Sequence, residues 1–297
     1  MTTAVDAAAV AVRKRTFLQR YPVVRRLIRH KAFVVGAALF AIIVFVAVFA
    51  DWITTADPNR MAIRFRFRPP GGEFLFGTDN LGRSIYARIV HGARLSLAIG
   101  LAVVVMNAVF GVALGAASGY FRRLDNVLMR VTDALMAFPP ILLALGIAAA
   151  LGPSSMTAAI ALAAVYIPRT ARIVRASVLV VREMEFVQAA LAMGASNWRI
   201  LRKHVLPNCM APLIVQLTFV FAFAVVTEAT LSFLGLGSPP PTPTWGNMIA
   251  EGRQYIRDAA WITLIPGLAL ATTVLSLNLL GDGLRDVLDP RLKISQD

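Results

Sequence analysis

The sequence predicts an all-α polytopic membrane fold of six transmembrane helices, one N-terminal helix followed by a five-helix core. Three observations predict it. The 297 residues are 58% hydrophobic with a mean hydropathy of +0.68, and only 15% are charged, too few to cover a water-soluble surface. Apolar runs of about 20 residues recur along the chain, the helical length that a hydrocarbon core ~30 Å thick requires. No run shows the two-residue alternation of a membrane β-barrel.

The elements follow in order. Residues 1–31 form a basic segment, with "VRKRTFLQRYPVVRRLIRHK" placed to lie at the membrane interface. Its following apolar run starts late, is long enough to span and lacks a small-residue cleavage site, so it reads as a span and not as a cleavable signal. Residues 32–52 are the first transmembrane helix. Residues 53–92 are an extracytoplasmic loop, where Gly77, Asp79, Asn80 and Gly82 form a turn. After that turn Ile85, Ile89 and Val90 share one side of an interfacial amphipathic helix. A plain structured loop fits the same residues.

Residues 93–285 form the core. Leu95–Phe121 is an uncharged run, and Ala134–Pro168 is another, broken at "LGPSS" into a hairpin of two spans. The last two spans fall near Cys209–Leu234 and Ala259–Gly281, with Trp245 and Trp261 as interface anchors between them. Residues 169–207 form a basic insert, and residues 286–297 a tail. The sequence "NLLGDGLRDVLDPR" reads as a helix end packed against that insert, or as a plain tail.

With both termini cytoplasmic, inside segments hold 21 of the 30 Lys and Arg and outside segments hold 9. That split obeys the positive-inside bias, although "RMAIRFRFRPP" puts four arginines outside. The net charge of +14 flanks membrane spans and so points to lipid headgroups, not to nucleic acid. The lone Cys209 excludes an internal disulfide, and His30, His91 and His204 lie in separate segments, so no metal site is expected.

The insert is the first candidate functional site. Residues 183–193 suit a helix, Gly194 supplies the positive φ that ends one, and Ser196 is a candidate N-cap for "NWRILRKHVL", which Pro207 ends. Met184, Val187 and Leu191 fall on one face, and Ala189, Ala190 and Gly194 leave the far end low and smooth. With a rim of Arg199, Arg202 and Lys203, this surface suits a groove on another protein. A basic loop that merely obeys the inside bias fits the same composition.

The stretch "QAALAMGASNWRILRKHVLP" resembles the ATPase-coupling loop of binding-protein-dependent ABC importers, whose pattern is E-A-A, three residues, G, nine residues, I, one residue, L-P. It falls here on Gln188-Ala189-Ala190, Gly194, His204 and Leu206-Pro207, with Ala195 and Ser196 beside the glycine. Gln188 replaces the acid and His204 the apolar residue. "FGTDNLGRSIYARIVHGARLSL", "SFLGLGSPPPTPTWGNM" and "PGLALATTVLSLNLLGDGLRDVLDPR" are similar to the second permease subunit of dipeptide, oligopeptide and nickel importers. The resemblance covers about Asp51 to Arg291.

It implies a type I ABC importer permease fold that moves peptides inward. The implied partners are a homologous second permease, two ATP-binding subunits that use ATP and Mg, and an extracytoplasmic solute-binding protein. Peptide substrate and membrane lipid complete the set. No G-x-x-x-x-G-K-[ST] phosphate loop occurs, so hydrolysis is expected from a partner and this chain is expected to bind no cofactor.

Glu228 is the one acid deep in an apolar run, so it is a candidate for the translocation path or its gate, or for a bond between helices. Asn107 and Asn278 are weighed between the same two roles. A proton-coupled secondary transporter with Glu228 as carrier is the alternative reading. An intramembrane enzyme requires a paired nucleophile and base, and no such grouping occurs.

Overall fold

A computed structural model of the chain describes residues 22–288. Basic residues ahead of Pro22 and the tail beyond Leu288 lie outside the described residues. Helix dominates, and among the described residues β-structure is limited to the isolated bridges of Gly71 with Phe74 and Thr78 with Ser84.

Helix α1 (Pro22–Arg29) leads into α2 (Lys31–Val48), the first crossing, which ends in the turn Ala50–Ile53. The second crossing is one continuous helix, α3 (Ile85–Tyr120), with a π-turn at Asn107–Gly111. Next come α4 (Arg122–Met136) and α5 (Pro140–Leu151), bent by 91° about the break at residues 137–139. Helix α6 (Ser155–Arg182) returns, opened by a Ser154–Thr157 capping box. Helix α7 (Glu185–Ala192) and the helical stretch 197–208, called α8, make a corner. Helix α9 (Met210–Phe233), the short α10 (Trp245–Gly252) and α11 (Trp261–Leu288) complete the chain. Five helices are long and apolar enough to cross a membrane, and the bent α4–α5 pair passes the same test only when its two halves are taken together.

Packing explains the order. Helix α2 lies on α11 and α3, outside a core in which α6 and α9 touch most other crossings. The tightest pair is α3 with α6. Gly111, Gly115 and Gly119 recur every fourth residue, so they form one bare ridge along α3. A Cβ at Gly119 comes within 2.8 Å of Val178 Cβ, and one at Gly111 within 2.8 Å of Thr170 Cγ2. Only glycine lets the two helix backbones meet this closely.

Several expectations need correction. The amphipathic segment after Ser84 is not interfacial: it is the first three turns of α3, with Ile85, Arg88 and Val90 buried in protein. The chain does not leave its helix where the basic insert 169–207 begins, because α6 runs through Pro168 to Arg182. Proline removes one N–H, but neighbouring helices hold the strand of the bundle in place and the helix continues. The third span does not run straight through "AFPP", since Pro139 and Pro140 break it. Trp245 and Trp261 are held by protein, their indole N–H groups donating to Ile89 O of α3 (3.2 Å) and to Thr78 O of the long loop (3.1 Å). The "NLLGDGLRDVL" stretch extends α11 and packs on the start of α2, where Phe33 meets Gly283, and Asp286 lies 3.2 Å from His30.

Candidate functional site

The corner of α7 and α8 forms for local reasons. At the end of α7 the Ala195 N–H donates to Ala190 O (3.1 Å) and the Gly194 N–H to Leu191 O (2.9 Å). This double closure requires a left-handed residue, and Gly194 has φ +80. Ser196 stands at the N-cap of α8 with extended backbone, but its hydroxyl makes no capping bond. Pro207 does not end the helix, as the sequence suggests. A π-turn at Leu201–Val205 widens the preceding backbone, and Pro207 sits in the first positions of the next turn, where its missing N–H costs nothing.

The two faces of the corner divide differently from expectation. Val187 and Ala190 turn inward with Ile200, Leu201 and Val205, into the same cluster as Val174, Val178 and Val181 of α6 and Leu213 of α9. The outward face is carried by Met184, Phe186, Leu191, Met193 (83% exposed) and Trp198 (68% exposed). It is therefore apolar but bulky, not low and smooth. Gln188 uses its amide to donate to Arg182 O at 3.0 Å, tying α7 to the end of α6. Ala189 and Pro207 are exposed, and Ala195, His204 and Leu206 are half-buried.

The corner is also tied to α3. Tyr120 donates its hydroxyl to Asn197 Oδ1 (3.1 Å), and Arg182 Nη1 donates to Gly119 O (3.1 Å). Between them lies an open cavity of about 680 Å³ whose wall includes Arg122, Arg123 and Gln188.

Polar residues inside the crossings separate into two kinds. Asn107 is fully buried: it donates to Val103 O (2.9 Å) and accepts from Thr170 Oγ1 (3.1 Å), so it links α3 to α6. Glu228 is also fully buried, near the far end of α9, where Oε1 accepts from Ser232 Oγ at 2.7 Å. Its neighbours include the buried hydroxyls of Ser96 and Thr244. Its place is the junction of α9 with α3 and α10, away from the cavities described here. Asn278 is different, lining a shallow groove of about 410 Å³ between α9 and α11.

At the end opposite the corner, a charge cluster lies hidden in the long loop. Asp79 is fully buried and accepts from Arg83 Nε (2.5 Å) and Arg88 Nη1 (2.8 Å). Glu251 of α10 accepts from Arg83 Nη2 (2.6 Å) and Arg88 Nη1 (2.7 Å). Two cations and two anions thus clamp loop, α3 and α10 together. Sequence reading treats Asp79 as a turn-former and places Arg83 and Arg88 only away from the side of the helix that carries Ile85, Ile89 and Val90. The available signal is an acid four residues ahead of one arginine and nine ahead of another, with Ile85 between the arginines and Ile89 just after them.

Comparison with known proteins places this geometry. Residues 107–294 match the binding-protein-dependent transport system inner membrane component family, and residues 20–70 match the N-terminal TM domain of oligopeptide transport permease C. The chain belongs to the binding-protein-dependent permeases. A permease-family protein of Brucella abortus biovar 1 is 58% identical over 270 residues, 91% of each chain. The di/tripeptide transport system permease protein DppC of Pseudomonas aeruginosa is 46% identical, over 89% of this chain and 90% of its own. The dipeptide transport system permease protein DppC of Alkalihalophilus pseudofirmus is 44% identical, over 91% and 89%. Among solved structures, an inward-facing form of the MetNI methionine ABC transporter superposes with a TM-score of 0.58. It is 20% identical and covers 69% of this chain and 98% of its own, a likeness of fold.

Proposed function

We propose that this chain is the membrane-spanning permease subunit of an ATP-driven importer that moves di- or oligopeptides inward. It works as a pair with a homologous permease, receives substrate from an extracytoplasmic binding protein, and is driven by two ATP-binding subunits that use ATP and Mg. Both termini and the corner at 183–208 face the cytoplasm of a cell-membrane protein. The observation that carries the reading is the two-faced corner. Its inner face is continuous with the packing of α6 and α9, while its outer face is an apolar patch with basic residues around it. A force applied to the outer face reaches two crossing helices without a flexible joint.

Residues Gln188 to Pro207 take the coupling role, each in its own way. Gly194 shapes the turn, Gln188 fixes α7 to α6, and Met193 and Trp198 offer the contact area. The experiment is purification through a tag on this chain, with the ATP-binding subunits and binding protein co-expressed. Met193→Glu with Trp198→Glu is expected to reduce ATPase capture at least about tenfold, while the sister permease is retained. Undiminished capture defeats the assignment of the corner, and peptide uptake independent of ATP defeats the importer reading.

A further inference from the structure

Arg169 lies within a crossing helix and, among the described residues, has no counter-charge. It is 14 residues past the start of α6, about 21 Å along the helix. The next residue, Thr170, is hydrogen-bonded to Asn107, which lies 12 residues from one end of the uncharged run Leu95–Phe121 and 14 from the other. Both helices place Arg169 inside the crossing, about two-thirds of the way through a ~30 Å core when counted along α6. The Arg169 side chain is exposed in this chain, and among the described residues no carboxylate reaches it. Its neighbours Arg172 and Arg175 are paired, with Asp133 at 2.6 Å and Asp125 at 2.5 Å.

An unpaired guanidinium at this depth cannot face lipid tails without large cost, so it faces water or an anion. The cavities agree. One of about 430 Å³ lies beside the bend between α4 and α5, and one of about 610 Å³ lies between α6, α9 and α11. Arg169 lines both. The larger runs past the amide of Gln216 to Asn208 and Arg285 at the end that holds the corner. Neither cavity has a carboxylate among its lining residues.

We infer that Arg169 is where this subunit meets the carboxylate of the solute within the membrane, and that the cavity past Gln216 to Arg285 is the solute's way out. The inference rests on the importer reading and adds to it the chemical class of the group recognised: a carboxylate on a peptide-sized solute. A guanidinium suits that task because it offers two parallel donors to a carboxylate and keeps its charge at any physiological pH.

The test uses the whole complex in proteoliposomes with its ATPase face outward. Cys209, the one cysteine of this chain, is buried, and Cys209→Ala gives a silent background for Arg169→Cys. A membrane-impermeant negatively charged thiol reagent is expected to modify Arg169→Cys. Dialanine at millimolar concentration should slow that reaction at least about threefold, and dialanine amide should not. Arg169→Ala should lower dialanine import at least about tenfold, and Arg169→Lys should recover part of it. No modification, or equal slowing by acid and amide, overturns the inference. So does loss of pairing with the sister permease in Arg169→Ala that Arg169→Lys restores, which assigns the arginine to a carboxylate of that subunit. A wild-type complex without binding-protein-stimulated hydrolysis defeats the importer reading itself.

Discussion

Gly194 separates the shape of the coupling corner from the contact it makes. Its φ of +80 is left-handed, and a Cβ built there meets nothing within 4 Å. Gly194→Ala thus carries a backbone cost of roughly 1–2 kcal/mol and no steric clash inside this chain. Against that cost stand the buried side chains of Val187, Ile200, Leu201 and Val205, each contributing about 1.5–3 kcal/mol. Burial wins, so the corner keeps its fold and the variant reaches the membrane normally. Import should fall only about two- to fivefold. Gly194→Asn tolerates the left-handed backbone better but adds a side chain, so any loss beyond the alanine variant reports an approaching surface. Gly194→Asp adds charge to a contact that excludes water, and binding-protein-stimulated hydrolysis should fall more than about tenfold. The assay is stimulated hydrolysis and ATPase co-purification in the reconstituted complex. Normal stimulation in Gly194→Asp would refute the reasoning and leave the stretch a basic loop.

Three further outcomes are expected. In Gly115→Ala, gained helix propensity is worth at most about 1 kcal/mol, whereas overpacking costs about 1–3 kcal/mol. The new Cβ lies 2.7 Å from Val174 Cβ and against the backbone oxygen of Ala171, which cannot rotate away, so thermal stability should drop. Arg88→Ala leaves buried Asp79 with one of its two arginine partners, a loss of up to about 3–5 kcal/mol, to be read as protease cleavage within residues 53–84 of the solubilised complex. Glu228→Gln preserves an acceptor for the Ser232 hydroxyl and should keep most transport, while Glu228→Leu removes it at a cost of about 1–3 kcal/mol. Equal transport by the two variants counts against a hydrogen-bonding role, and equal loss favours a proton carrier.

The crossings are legible because hydrocarbon sets their length and polarity. Their ends are not, since α3 and α6 continue past their apolar runs wherever protein replaces lipid around them. Arg88 shows why: it lies off the apolar side of its helix in the sequence, yet it is 1% exposed because Asp79 and Glu251, one near and one 163 residues away, neutralise it. The turn at Gly194 is legible from local chemistry, as left-handed backbone selects glycine. Which face of α7 points inward is not. Val187 and Leu191 are one helical turn apart, and the packing of α6 and α9 decides between them. Arg169 belongs to the same class, an ordinary member of a basic insert until its helix is seen to run on through Pro168.

The clamp made by Asp79, Arg83, Arg88 and Glu251 also constrains how this protein can be re-engineered. Each arginine is shared between a carboxylate of the long loop and one from α10, so the four positions behave as a single heritable trait. A chimera that imports residues 53–92 from a relative must import a matching residue at 251, or it will bring two arginines to an incomplete set of acids. Substitutions at Arg60, Arg64 or Arg66, which lie exposed on the same loop, carry no such obligation.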